Sequence, residues 1–531
     1  MKNKLSIPFF HNTAESLKYL FLASLAMVLL VEVSLSLRWP IGNDTGFLHY
    51  VAYLINEHGF LPYRDIFEIN MPGTYLFHIA IGRFFGYSDF AFQMVNVVWL
   101  TVTLTVTWFI MKPFGRVVAS ASCLLFGLIY MGSGHHMILE RDVIAILPIA
   151  TALLLTIRCR PNQSLNLIYF LLGILFALAS LIKPHMAIGL PAMIAYKCIN
   201  DTNGPKSLKT LIKPFVTGGI VAMAGFLATL AIPFLWLWRI GALESFWELF
   251  SSYLPLYTQL YGDFQIEGTF PRIIFLIKLY RQFGGLGVLF MTSMFGVYIV
   301  LTNSMAATTK KRAILLLLLV GIYSIYAIIG GKDVTYHWMP YAYFACLCTA
   351  MILFYPPSFE SLRRAILFPL FIFMVTVMMT VHLPHGAANT FQQLFYGRPV
   401  TMDEMDGRVH EIATYLNNNL SPADKVQPLD WIVGGAVPAM LASKAVVATP
   451  YITDFQFYHD VSNPYIQKLR KSFIAKLNKE KPKFIIDVYS YRQISGLGIT
   501  YKFPELKAFI TQHYDKDYTG NGFDIFRRND D

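Results

Sequence analysis

Runs of apolar residues about 20 long, enough for an α-helix to cross a hydrocarbon core, recur from residue 18 to residue 381 of this chain. Lipid admits helices whose backbone groups are paired internally, so such runs leave few folds open. The rest of the composition agrees. Of 531 residues 55% are hydrophobic and only 14% charged, where soluble proteins carry about 25% charged. Too little polar surface remains to cover a soluble globule. Aromatic residues reach 15%, many near the ends of the runs, as interfacial Tyr and Trp do.

Spans are expected at Lys18–Leu35, Phe90–Met111, Val117–Tyr130, Val143–Thr156, Leu165–Leu181, Ala187–Tyr196, Phe215–Trp236, Gly284–Leu301, Ala313–Ile329, Met339–Tyr355 and Ala365–Val381. That is a polytopic α-helical membrane protein with about eleven transmembrane helices. The first run has no small-residue cleavage site after it and reads as a retained helix, not a removed signal peptide. Alternate connections are short and basic: Lys2/Lys4, Lys112/Arg116, Arg158/Arg160, Lys197 to Lys213, Lys310/Lys311/Arg312 and Arg363/Arg364. The positive-inside rule places these in the cytoplasm, with the N-terminus. The segments Arg38–Asp89, Met131–Asp142, Lys183–His185, Arg239–Phe283, Gly330–Trp338 and all that follows His382 then lie outside. The net charge of +11 is thus spent on topology signals in scattered clusters, and no basic stripe for nucleic acid is present.

Two units follow: a membrane unit, 1–382, with long outer loops at about 37–89 and 239–283, and an extracytoplasmic α/β domain, 383–531. In the loops, Thr45–Glu57, Tyr75–Phe85 and Leu243–Leu256 place apolar residues at helical spacing and read as helices lying in the interface plane. In the terminal domain Gly407–Asn418 and Tyr465–Asn478 read as helices, and Lys483–Val488 and Phe523–Phe526 as strands. No cysteine follows Cys348, so this domain has neither a disulfide nor a cysteine metal site.

Ionisable residues at outer helix ends are the candidates for chemistry: Asp44, Glu68, Glu140, Arg141, Asp142, Lys183, His185, Lys332, Asp333 and His337. Two carboxylates near the bilayer, Asp44 and Glu68, suit a general base or the ligands of a divalent metal ion. The cations suit a phosphate at the mouth of the bundle. Plainer readings stand beside these. Asp44 could cap the helix that follows it, Glu140-Arg141-Asp142 could be a cap with a local ion pair, and Lys183 could snorkel at a helix end. The adjacent His135-His136 read as solvated loop residues. His49 and His58 fall on the polar side of a loop helix and receive no role. The sequons at Asn43, Asn162 and Asn419 carry little weight.

Taken in order, several motifs resemble the polyprenyl-phosphate-dependent glycosyltransferases of the GT-C fold, the family-39 type related to protein O-mannosyltransferases and lipid A aminoarabinose transferase. They are Asn43-Asp44 after the first span, the Gly59 to Glu68 segment running into Pro72-Gly73, Arg141-Asp142, Lys183-Pro184, Tyr336-His337-Trp338 before Pro340, and Thr449-Pro450-Tyr451 with Lys481 to Ile486. Members often have a second acidic residue at the first motif, where this chain has Asn43 and Thr45, and Pro-Pro where it has Met71-Pro72. The resemblance implies an inverting transferase in the bacterial cytoplasmic membrane. It would move a hexose or pentose from a polyprenyl-phosphate-linked donor to a lipid, glycan or protein acceptor on the outer face. It implies Asp44 as base with Glu68 assisting, directly or through a metal held by both, and Arg141, Lys183 and His337 on the donor phosphate. A polysaccharide ligase, a lipid or sugar transporter and a non-catalytic assembly or scaffold protein are the rival readings. A transporter would carry charges inside its spans and repeated halves, and neither is seen in the sequence.

Overall fold

The computed structural model describes residues 7–158, 164–201, 208–258, 285–329, 334–354, 404–431, 434–490 and 499–529. Helices stand where the first ten apolar runs lie: α1 (Ile7–Ser36), α4 (Asp89–Met111), α5 (Arg116–Gly132), α6 (Arg141–Arg158), α7 (Leu165–Ile182), α8 (Leu190–Asp201), α9 (Leu208–Arg239), α12 (Gly285–Thr302), α13 (Ala307–Ile329) and α14 (Met339–Ala350). The eleventh run and the expected boundary at 382/383 lie outside the described residues. Among the described residues, four stretches are long and apolar enough to span: Tyr19–Ser36, Asp89–Phe114, Leu165–Ile182 and Lys209–Arg239. The α5 helix and Val288–Thr302 are apolar but shorter. On α9 the large apolar side chains Val216, Ile220, Met223, Leu227, Ile232 and Leu235 all remain exposed. A stripe of that kind belongs in lipid.

The helices pack through small residues. A Cβ on Gly173 of α7 would lie 1.9 Å from the Ala222 carbonyl oxygen of α9, and one on Gly225 would lie 2.2 Å from that of Phe170. Lipid tails are as apolar as Leu, so close backbone approach is the main source of attraction between spans. The first span is tied to the fourth helix where the chain leaves the bundle. Asp89, next to the capping Ser88, accepts a hydrogen bond from the Ile41 amide at 3.1 Å.

The three loop helices exist: α2 (Asn43–His58), α3 (Pro72–Phe85) and the run α10 (Leu243–Glu248) to α11 (Leu254–Thr258), joined by one π-helical turn at Leu249–Tyr253. For α2 the interface-plane expectation needs correction. Phe47, Leu48, Tyr50, Val51 and Leu54 are buried, and so is His49, which the polar-side reading had placed toward water. The cause is tertiary. α2 is held between α3 and a short helix of the C-terminal unit, α16 (Ala436–Ala442), so that only its last turn, at Glu57 and His58, is exposed.

That unit is α/β. After α15 (Glu404–Asn419) come β1 (Lys425–Leu429), α16, β2 (Val446–Val447), α17 (Pro464–Glu480), β3 (Phe484–Val488), α18 (Pro504–His513), β4 (Tyr514–Gly520) and β5 (Phe523–Arg528). The sheet order is β2-β1-β3-β5-β4. β1 is parallel to β2 and β3, and β5 is antiparallel to β3 and β4. The α18 helix and strand β4 were not legible in the sequence. β4, Tyr-Asp-Lys-Asp-Tyr-Thr-Gly, has no apolar alternation because it is a largely exposed edge strand. Gly522, at φ 81°, turns it into β5.

The unit docks on the loop helices through the backbone. Tyr50 and Tyr53 of α2 donate to the carbonyls of Ala445 and Lys444 at 2.8 and 3.1 Å. The Phe67 amide donates to the Pro450 carbonyl at 2.8 Å. Phe67 precedes Glu68, so the sheet unit holds the segment that carries that carboxyl.

Candidate active site

Asp44 leaves the end of the first span in a tight setting. A Cβ on Gly42 would meet the His136 backbone at 2.8 Å, so the 135–136 loop closes directly on the start of α2. The helix is capped by Gly42 with no side-chain bond, and Asp44 lies in the first turn. Its carboxylate is therefore not the N-cap. Instead Oδ2 accepts from Arg141 at 2.9 Å and from the Tyr336 hydroxyl at 3.0 Å. Three segments far apart in sequence, the α2 start, the α6 start and the turn before α14, meet at this oxygen.

Arg141 is the hub. Besides Asp44 it donates to the Tyr336 hydroxyl at 2.7 Å and to Asn70 Oδ1 at 2.5 Å. Its guanidinium lies 5.4 Å from the Tyr336 ring centre. The local pair with Glu140 is looser, at 3.9 Å. Reach across the fold thus dominates over the local ion pair. Asp142, one residue on, is fully buried and accepts from Lys183 at 2.6 Å and from Tyr326. The Lys183 ammonium also lies 5.0 Å from the Tyr336 ring centre. A snorkelling lysine would extend to the aqueous interface, and this one is folded inward against aspartate and tyrosine. Burial draws Lys183 below the usual lysine range, against the pull of Asp142.

Glu68 lies behind this group. Its Oε1 accepts from the Ile69 amide and from Asn70 Nδ2, both at 2.8 Å. Glu68 and Asp44 are therefore joined through Asn70 and Arg141 in this arrangement. Burial pushes the Glu68 acid up to about 7, against the hydrogen bonds and the Arg141 charge. Burial raises Glu140 well above the usual carboxylate range too, with the Asp44 charge adding to it. His337 is buried, with its ring centre 4.9 Å from that of Tyr336. The structure brings together Asp44, Glu68, Arg141, Lys183 and His337. His185 is exposed, and Lys332 and Asp333 lie outside the described residues. His135 lies 3.4 Å from Asp406 of the C-terminal unit, so the solvated-loop reading gives way to a partly buried contact.

Sequence reasoning does not single out Tyr336, Tyr326 or Asn70 as site residues. Asn70 and Tyr336 sit inside or beside the motifs quoted above, and that is the only signal the sequence holds for them. As for a divalent metal ion, the Asp44 oxygen already accepts from Arg141 and Tyr336. No group of three or more His, Cys, Asp or Glu gathers to hold an ion among the described residues. A cation at Asp44 would also face a guanidinium 2.9 Å away. This donor set does not fit a metal shared by Asp44 and Glu68.

The comparisons bear on the same residues. The family model described as dolichyl-phosphate-mannose-protein mannosyltransferase matches residues 72–232, a stretch that contains Arg141 and Lys183. The chain resembles this family. No curated protein matches by sequence. Among solved structures, ArnT from Cupriavidus metallidurans bound to undecaprenyl phosphate has the same fold, with a TM-score of 0.57. It is 10% identical, and the match covers 95% of this chain and 97% of that one. The apo state of that protein aligns with a TM-score of 0.40 at 10% identity, over 97% and 98% of the two chains. A membrane-spanning transferase resemblance and a GT-C fold over nearly the whole chain are thus in place beside the site.

Proposed function

We propose that this chain is an inverting glycosyltransferase that takes a hexose or pentose from a polyprenyl-phosphate-linked donor. The acceptor is a lipid, glycan or protein on the outer face of the bacterial cytoplasmic membrane. The observation that carries the reading is the Asp44–Arg141–Tyr336 cluster at the mouth of the bundle, with Lys183 beside it. One carboxylate and two cations from four segments meet where a lipid headgroup would enter. The solved relative of the same fold is bound to undecaprenyl phosphate, which supports a polyprenyl-phosphate partner here.

In this reading Asp44 accepts the proton of the acceptor hydroxyl. The acceptor oxygen attacks the anomeric carbon from the face opposite the leaving group. The bond from that carbon to the phosphate oxygen breaks, and its electron pair leaves with the lipid phosphate. Charge grows on that phosphate as the bond breaks, so preorganised cations lower the barrier there. Arg141, Lys183 and His337 are assigned to it. Arg141 is held by Asp44, and Lys183 by Asp142. A donor phosphate competes for both cations, and drawing Arg141 toward it releases the base. Glu68 acts through Asn70 and Arg141, as a positioning residue. No step passes through a metal ion.

The test is transfer from a lipid-linked sugar donor by purified Asp44→Asn protein. Asn keeps the side-chain size and removes the charge and basicity. A loss of roughly 10²-fold or more is expected for a general base. Normal transfer by a monodisperse variant would refute the assignment. Mass spectrometry of envelope lipids, glycans and proteins from a deletion strain identifies the sugar and the acceptor.

A further inference from the structure

One face of α17 has no task in the reading above. Its buried side carries Ile466, Leu469, Phe473 and Leu477, which close over the sheet. On the opposite side Lys468, Lys471, Lys476 and Lys479 fall within roughly 140° of arc at 100° per residue, and Lys481 follows at the helix end. Lys468, Lys471, Lys479 and Lys481 are exposed, and Lys476 is half-buried. The acidic residue of the helix, Glu480, is taken by Lys425 at 2.7 Å. Lys471, Lys476, Lys479 and Lys481 make no salt bridge among the described residues, although Lys476 acts at range on Asp65, and Lys476 and Lys479 on Glu480. Like charges at these spacings repel, so the helix gains nothing from them by itself.

The position of this face relative to the bilayer can be read from its neighbours. Trp238 ends the α9 span 69% exposed, and Trp247 of α10 is 56% exposed and stacked at 6.1 Å on Phe234, near the end of that span. Two exposed tryptophans at a span end mark the headgroup level. Glu248, next to Trp247, receives Lys468 at 2.9 Å. The lysine face of α17 therefore begins at the level of the headgroups. Near Asp65, in the loop before α3, it feels the charge of another acid on the membrane unit.

We propose that the basic face of α17 binds the anionic phospholipid headgroups of the leaflet beneath it, a second lipid contact separate from the Asp44 cluster. The partner is the bilayer surface itself. Anionic headgroups supply the counter-charge that Glu248, Asp65 and Glu480 supply only in part, and each lysine near such a surface adds to the attraction. The contact would hold the C-terminal unit at a fixed height over the loop that it grips at Phe67.

Full-length protein in nanodiscs of phosphatidylcholine, with or without phosphatidylglycerol, tests this by hydrogen exchange over residues 464–481. Slower exchange of that segment in the anionic discs is expected. It should be absent in a Lys471→Glu, Lys476→Glu, Lys479→Glu variant whose melting temperature is unchanged. Phosphatidylglycerol retained in native mass spectra should bind that variant roughly 10²-fold more weakly. Equal exchange of the wild-type segment in the two kinds of disc overturns the proposal whatever the variant does. Equal slowing by soluble polyglutamate in phosphatidylcholine discs also overturns it, since the face would then be a site for acidic polymer.

Discussion

At the residue scale the proposed site is a contest for two cations. Arg141 is held by Asp44, Tyr336 and Asn70, and Lys183 by Asp142. If both are released to a donor phosphate, Lys183→Ala should weaken donor saturation by roughly 1.5–3 kcal/mol, the value of a charge-assisted contact. His337→Ala should do the same, with insertion and folding retained. Donor titrations that match wild type for both variants would assign them to structure alone. Glu68 makes a separate claim on stability. Its acid is raised from 4.5 to about 7 by burial, so the folded chain holds that proton more tightly than the unfolded chain does. This contribution is full below about pH 4.5 and is lost as pH rises through about 7, up to about 3 kcal/mol in all. Melting temperatures in detergent should therefore fall between pH 5 and 8 more steeply for wild type than for Glu68→Gln. Parallel curves would show that Glu68 is not the group responsible. The positions of Asp44, Arg141 and Lys183 were legible because a charge at a span end stands out against apolar sequence. Tyr336 and Asn70 are ordinary residues in a loop, and only contacts to Arg141 set them apart.

At the element scale two kinds of joint hold the molecule. Between spans the joint is backbone against backbone, as at Gly173 of α7 and the Ala222 carbonyl of α9. Gly173→Leu must push α7 and α9 apart, and a loss of monodisperse protein, or a drop of several degrees in melting temperature, is the expected outcome. An unchanged melting temperature would mean that the two helices are not packed as described. Between the units the joint is polar. Tyr50→Phe leaves the buried Ala445 carbonyl without its donor, at a cost of roughly 1–3 kcal/mol. Its effect should appear in stability and not in donor saturation, because Tyr50 is bonded to the C-terminal unit. The helical runs were legible from length and period alone. The burial of most of α2 was not, because His49 is covered by His78, Tyr87 and Phe92 and another part of the helix by α16, which arrives from nearly 400 residues away.

At the scale of the whole molecule the basic connections lead us to propose an orientation that reporter fusions can check. Fusions after Lys213, Arg312 and Arg364 should report cytoplasm, and fusions after Asp263 and Thr401 the outside. A cytoplasmic signal at Thr401 would put the C-terminal unit on the other side and remove the outer-face reaction. The joint between Phe67 and Pro450 sets a further condition, since the Gly59–Met71 segment and the sheet unit must share one side of the membrane.

The division between sequence and structure follows from the physics of each step. Lipid penalises unpaired backbone groups and charges so strongly that runs, breaks and basic loops had to be written locally, and they could be read locally. Helix periodicity in the loops, the apolar run of β3 and the alternation at the start of β5 were equally local. The close fit of Gly173, the closure of α16 over α2, and the meeting of Asp44 with Arg141 and Tyr336 are different in kind. Each depends on which segments become neighbours after the spans have packed, and no short window of sequence contains that information. The sequence determined that this chain crosses a membrane and carries charge at one set of its span ends. Packing decided which of those charges touch, because a hydrogen bond reaches only about 3 Å and its partners lie in separate segments.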